Sequence, residues 1–221
     1  MCLEQVRVSE TLQAIVRIGV VFLDDVKNGP PDPALDLELE KICEEYRRLS
    51  AERKPTEIEA VARTRKLYRR VGIDPTRDRP SSERLLRRVL KKQPLPKVNK
   101  LVDCINMASL KLQCPLGLYD WGSIVPPVTF RVGLPGEELR VISERSMNLE
   151  GKLVCADEEG PFGNPSHDSH RTRVEAGTNR AMAACWSPAE HPRSYIDSVL
   201  DEIARAAGEY CGARVAGRKI F

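Results

Sequence analysis

The residues best equipped for chemistry lie between Leu95 and Thr178. Asn99, Asp103 and Asn106 recur at i, i+4 and i+7, so on a helix they share one face. The chain then passes Pro115 into a short extended run, Leu116-Gly117-Leu118-Tyr119-Asp120, which ends in a carboxylate. Amides and carboxylates meeting from a helix face and a strand end could floor a pocket that orients a polar substrate. The same residues also read as a solvated stripe, or as side chains that satisfy nearby backbone. A second cluster, His167-Asp168-Ser169-His170-Arg171-Thr172, brings imidazoles, a carboxylate, hydroxyls and a guanidinium together. As a metal site it lacks a further ligand at a known spacing, so no metal and no cofactor are expected. Ser169 lacks the strand-turn-helix setting of a nucleophile elbow. The cluster reads more readily as a pocket rim. Asp157 serves a site or a turn, and Thr178 lines a pocket or caps a hairpin.

Charge supplies the next signal. Arg63 to Lys100 holds fourteen Lys or Arg against three Asp or Glu, a net +11 in a chain whose total is only +3. Helical spacing turns Arg69 and Arg70 outward on one helix, and Arg84, Arg87, Arg88, Lys91 and Lys92 outward on the next. Arginine forks match phosphate oxygens, so this face suits a nucleic-acid backbone. A solvated arginine-rich face is the plainer alternative. The seven cysteines are odd in number and form no CxxC pair, which predicts reduced thiols and a cytoplasmic location. No apolar run of about 18 residues occurs, so no membrane span is expected. The opening MCLEQVRVSETLQ lacks the apolar core of a signal peptide.

The elements that must position these groups follow from periodicity. Val- and Ile-rich residues 12–23 predict a buried strand. Helices are expected over 36–49, from an N-cap at Thr56 to near Gly72, over 81–92 and over 99–112, with a last one opened by His191-Pro192. Strands are expected over 128–132, 139–142, 152–156, 171–176 and 181–186, with 160–170 too rich in Gly, Pro, Ser and His for regular structure. Helices crowd the first half and strands the second, which favours an α+β fold in one domain, 1–221. Its parts are an N-terminal strand with helices (1–79), a core (80–190) and a C-terminal helix (191–221).

The order VDCINMASLKLQCPLGLYD, LVCAD and RTRVEAGT resembles the tRNA-editing B-three/B-four domain of the bacterial phenylalanyl-tRNA synthetase beta chain. Val102, Asp103, Asn106, Pro115, Leu116, Tyr119, Asp120, Leu153, Val154, Ala156, Asp157, Val174 and Thr178 match that pattern over roughly 80–190. The resemblance implies a layered β/β/α sandwich-like fold and a freestanding, trans-acting hydrolase that deacylates mischarged aminoacyl-tRNA. Water would be positioned by pocket residues and substrate hydroxyls, without metal. It also implies tRNA as partner and association with an aminoacyl-tRNA synthetase. Under it, Asn106, Asp120, Asp168, Arg171 and Thr172 are the catalytic candidates. Asn99, Asp103, Gly117, Tyr119, Asp157, His170 and Thr178 form the pocket, and the basic helices hold the tRNA. Two positions depart from the pattern. The pocket histidine after Pro-Leu is Gly117, and the acidic residue of the third segment falls near His170. Both help recognise the rejected tyrosine in the synthetase, so another amino acid is expected here. A non-catalytic RNA-binding module and a small amino-acid-ester hydrolase on the same fold remain open.

Overall fold

The computed structural model describes residues 2–49 and 54–221. Strand Val6–Val8 (β1) and one helical turn, Glu10–Gln13 (α1), lead into the long strand Val16–Asp24 (β2). Four helices follow: Pro33–Leu49 (α2), Glu59–Arg70 (α3), Ser81–Leu90 (α4) and Lys100–Leu112 (α5). Then come strands Leu116–Asp120 (β3), Val128–Val132 (β4), Glu138–Arg140 (β5), Ser146–Asn148 (β6), Leu153–Asp157 (β7), Gly160–Gly163 (β8) and Ala181–Pro188 (β9). Helix Arg193–Cys211 (α6) and strand Arg214–Ile220 (β10) close the chain.

The central sheet has the order β10-β2-β9-β3 and the outer sheet β1-β4-β7-β8. Strand alternation builds both cores. From β2, Val21 and Leu23 join the cluster under α2, α4, α5 and α6, whereas Ile18, Val20 and Phe22 join the cluster against the outer sheet. The layers are therefore β/β/α, as the resemblance implied. At Gly19 a Cβ would stand 2.7 Å from both Cys185 Sγ and Ile196, so glycine lets α6 lie close on the sheet. Among the described residues no helix is long and apolar enough to cross a membrane.

Several local expectations are corrected. Thr56 caps nothing; Pro55–Glu57 is a 3-10 turn in which Glu57 accepts the Lys54 N–H, and α3 starts at Glu59. Residues 171–176 are turns, not a strand. They run beside the free edge of β3 but pair with it through single contacts, such as Asp120 N–H to the Thr172 carbonyl at 2.9 Å. Within the expected loop 160–170, Gly160–Gly163 does form a strand against β7. Gly163 leaves space for a ring, because a Cβ there would meet the Tyr119 hydroxyl, and Gly160 adopts a positive φ of 113° at the turn from β7. β10 carries no alternating apolar pattern, because all but one of its residues are exposed or half-exposed.

One buried ion pair sets the arginine-rich helix in place. Arg65 Nη1 of α3 lies 2.9 Å from both oxygens of Glu83, which is 1% exposed and also accepts Arg87 Nε at 2.8 Å. A buried carboxylate needs such partners, since losing one leaves an uncompensated charge. Arg87 is thereby committed to the fold, while Arg84 and Arg88 stay on the outer face.

Candidate active site

A cavity of about 520 Å3 opens between α4, α5, the β3 edge and the 141–145 and 166–168 loops. Asn106 and Asp168 both line it, with Ser109 and Leu116 beside them and Arg84, Arg88 and Arg145 among its cationic lining residues. Local structure explains the placement. The Asn99 side chain caps α5 by accepting the Val102 N–H at 3.0 Å, which fixes where Asn106 emerges. Asp168 is held by its backbone: its carbonyl accepts the Ile142 N–H at 3.2 Å, and it forms a bridge to Gly163. Its carboxyl lies toward the unpaired edge of β3, where the Leu118 N–H favours the charged form. Asn106 makes no side-chain hydrogen bond among the described residues, so its amide is available to a ligand.

The electrostatics single out Asp168. Burial pushes its carboxyl up to about 7, against the opposing pull of the Leu118 N–H, the Tyr119 hydroxyl and the Arg84 guanidinium. Near neutrality such a group exchanges a proton readily, as a general base requires. His167 is driven the other way, down to about 4, first by burial and then by Arg84. It is therefore neutral at pH 7, and its Nε2 accepts from Arg84 Nη1 at 3.2 Å and Arg145 Nη2 at 3.4 Å. That imidazole holds two guanidiniums at the cavity instead of carrying a charge itself.

The other catalytic candidates do not converge here. Asp120 and Arg171 border a separate depression of about 240 Å3 with His170. Asp120 accepts the Gly122 N–H at 2.8 Å and the Thr178 hydroxyl at 2.7 Å, which fastens the 171–180 segment to β3. Arg171 binds both oxygens of Asp157, at 3.0 and 2.8 Å. Asp157 also accepts the Val125 and Glu159 N–H groups, and its side chain is fully buried. Its acceptor capacity is filled, so Asp157 is a turn anchor. Thr172 is fully buried, with its hydroxyl 2.8 Å from Ser169 Oγ. Asp103 accepts the Val98 N–H at 3.2 Å and lines a different groove, of about 310 Å3, against α2.

Gly117 lines none of these cavities; it faces the interior between the sheets. A Cβ there would sit 2.1 Å from the Tyr119 hydroxyl, which occupies the space a larger residue would need. Tyr119 is itself fully buried beneath the cavity floor, its hydroxyl turned toward Asp168. Gly117→Ala is therefore expected to displace the ring and destabilise the protein by about 1–3 kcal/mol, measured by urea unfolding. An unchanged midpoint would show that this contact relaxes freely.

Of the basic candidates, Arg84 and Arg88 line the cavity. Arg70 pairs with Glu190 at the far end of α3, and Arg69, Lys91 and Lys92 are exposed but do not line the cavity. Ser109 and Arg145 are among the lining groups that the sequence did not single out as site residues. Ser109 continues the Asn106 stripe at i+3 and could have been found that way. Arg145 stands alone in a tight turn, where no periodicity links it to α4.

A sequence model described as the B3/4 domain matches residues 63–191. Among solved structures, an N-terminal fragment of the phenylalanyl-tRNA synthetase beta-subunit from Pyrococcus horikoshii superposes with a TM-score of 0.52 at 14% identity. The match covers 96% of this chain and 50% of that one, so the chain spans half that fragment's length; at this identity the likeness is one of fold. No curated protein matches.

Proposed function

From the premise that this chain belongs to the B3/4 domain family, we propose that it hydrolyses the ester of a mischarged aminoacyl-tRNA. The observation that carries this reading is one arginine-lined cavity bordered both by the free amide of Asn106 and by Asp168, whose carboxyl burial raises to about 7. An aminoacyl ester is already activated, so positioning does most of the work. Asp168 takes a proton from a water as it attacks the ester carbonyl; the acyl C–O bond then breaks, and the departing ribose oxygen takes that proton, releasing the free amino acid and the tRNA hydroxyl. Asn106 orients that carbonyl or the terminal ribose through its amide. Arg84, Arg88 and Arg145 pair with phosphates near the 3′ end. The chemistry answers a real need. Pockets differing by a methylene discriminate by only about 1–3 kcal/mol, so errors must be removed by a second hydrolytic sieve.

The test is deacylation of a panel of misacylated tRNAs by the purified chain, at low salt. Hydrolysis of at least one is expected, with kcat/KM rising tenfold per pH unit below neutrality and levelling off above about pH 7, where Asp168 is ionised. Salt-sensitive tRNA binding with no turnover of any substrate would leave a non-catalytic RNA-binding module instead.

A further inference from the structure

An apolar annexe of about 200 Å3 adjoins the arginine-lined cavity. Ile105, Asn106, Leu116, Ile142 and Asp168 border both spaces, so the two communicate beside the proposed base. Beyond that junction the annexe is walled by Val98, Val102, Leu118 and Val174, with Arg173 as its one further polar neighbour. Arg173 is already committed: its Nε donates to Glu175 at 2.7 Å and it also bonds His170. The annexe beyond the junction therefore offers no uncommitted partner for a hydroxyl, amide or ammonium. Two of its aliphatics face water, Val98 at 57% and Ile142 at 53% exposure. Its volume exceeds what one or two waters fill. An apolar group seated there would cover them and gain the area term.

We propose that the annexe receives the side chain of the aminoacyl group, and that the accepted class is aliphatic, of about the size of leucine, isoleucine, valine or methionine. This rests on the ester-hydrolysis reading above. With the ester carbonyl at Asn106 and the attacking water at Asp168, the chain beyond Cα enters the annexe. A polar side chain loses its water there without a replacement partner, which penalises it. A tyrosine phenol meets the same absence. The shape of the site thus selects by apolar burial.

The experiment uses the full chain and non-hydrolysable 3′-aminoacylamino-3′-deoxyadenosines carrying leucyl, methionyl, alanyl, seryl or aspartyl groups. Binding is measured by calorimetry, and deacylation of tRNA charged with the same amino acids is read in parallel. The leucyl probe buries three more carbons than the alanyl probe, so it is expected to bind roughly fiftyfold tighter. Val102→Phe fills the annexe from a half-buried helix position and should collapse the leucyl-to-alanyl affinity ratio from roughly fiftyfold to about one. Val98→Asn, polar but uncharged at an exposed position, should weaken leucyl binding in the same way without setting a second carboxylate beside Asp103. Seryl or aspartyl probes binding and turning over as well as leucyl, with deacylation intact, would overturn the aliphatic assignment alone. Absence of all binding and all deacylation would take down the hydrolase reading and this assignment with it.

Discussion

Asp168→Asn is expected to lower deacylation by 10²–10⁴-fold while making the protein more stable above pH 7. The first effect follows from removing the proposed base, whose ordinary contribution has that size. The second follows from linkage. In the native chain burial pushes the carboxyl up to about 7, whereas in the unfolded chain it keeps its ordinary value of 3.8. Between those values the native state holds the proton more tightly, so stability falls as pH rises from about 4 to about 7 and is level beyond. A gap of about three pKa units sets a ceiling of about 4 kcal/mol, reduced by water in the cavity. Asparagine keeps an oxygen for the Leu118 N–H and carries no charge to desolvate. The variant should therefore melt roughly 5–10 °C above the parent at pH 8 and match it near pH 4. Activity lost together with stability at all pH values would mean that Asp168 only holds the loop. Full activity in the variant would remove it from the mechanism.

Arg88→Glu combined with Arg145→Glu is expected to weaken tRNA binding on the order of 100-fold at ~0.1 M salt. The slope of log K against log salt should become less negative by about two. Both side chains are exposed, and their contacts are to the Pro94 carbonyl and to His167, so reversal leaves no buried charge unpaired. An unchanged melting temperature would confirm that the loss is local. Filter binding over a salt series provides the measurement, and an unaltered slope would detach the RNA from this rim. Arg87 is the wrong target despite its place in the same block. It neutralises buried Glu83, and its reversal would set two carboxylates against each other inside the fold.

Where local pattern governs, the sequence was readable. α4 exposes Arg84 and Arg88 because Leu85, Leu86 and Val89 must be buried, and that periodicity is visible in any window of ten residues. The same holds for α5 and α6, and for β3, β4, β7 and β9, whose apolar runs have one stable arrangement each. It failed at 171–176, where side-chain fasteners to Asp120 and Asp157 replace a strand ladder, and at β8, where Gly163 leaves room for the Tyr119 ring of another strand. Those contacts join residues tens of positions apart, and no local propensity encodes them.

The sequence by itself determined the family, the layered α+β fold and the presence of an arginine-rich helix beside a polar stripe. It supplied four candidate carboxylates, Asp120 and Asp168 as catalytic residues and Asp103 and Asp157 as pocket residues. Only the tertiary structure decided among them. Asp120 and Asp157 are spent on backbone, hydroxyl and guanidinium partners, and Asp103 is turned into another groove. Asp168 alone of the four borders the arginine-lined cavity, with its carboxyl desolvated. Proton affinity and access depend on burial and on neighbours from other elements, so a carboxylate acquires its chemical role when the chain folds around it.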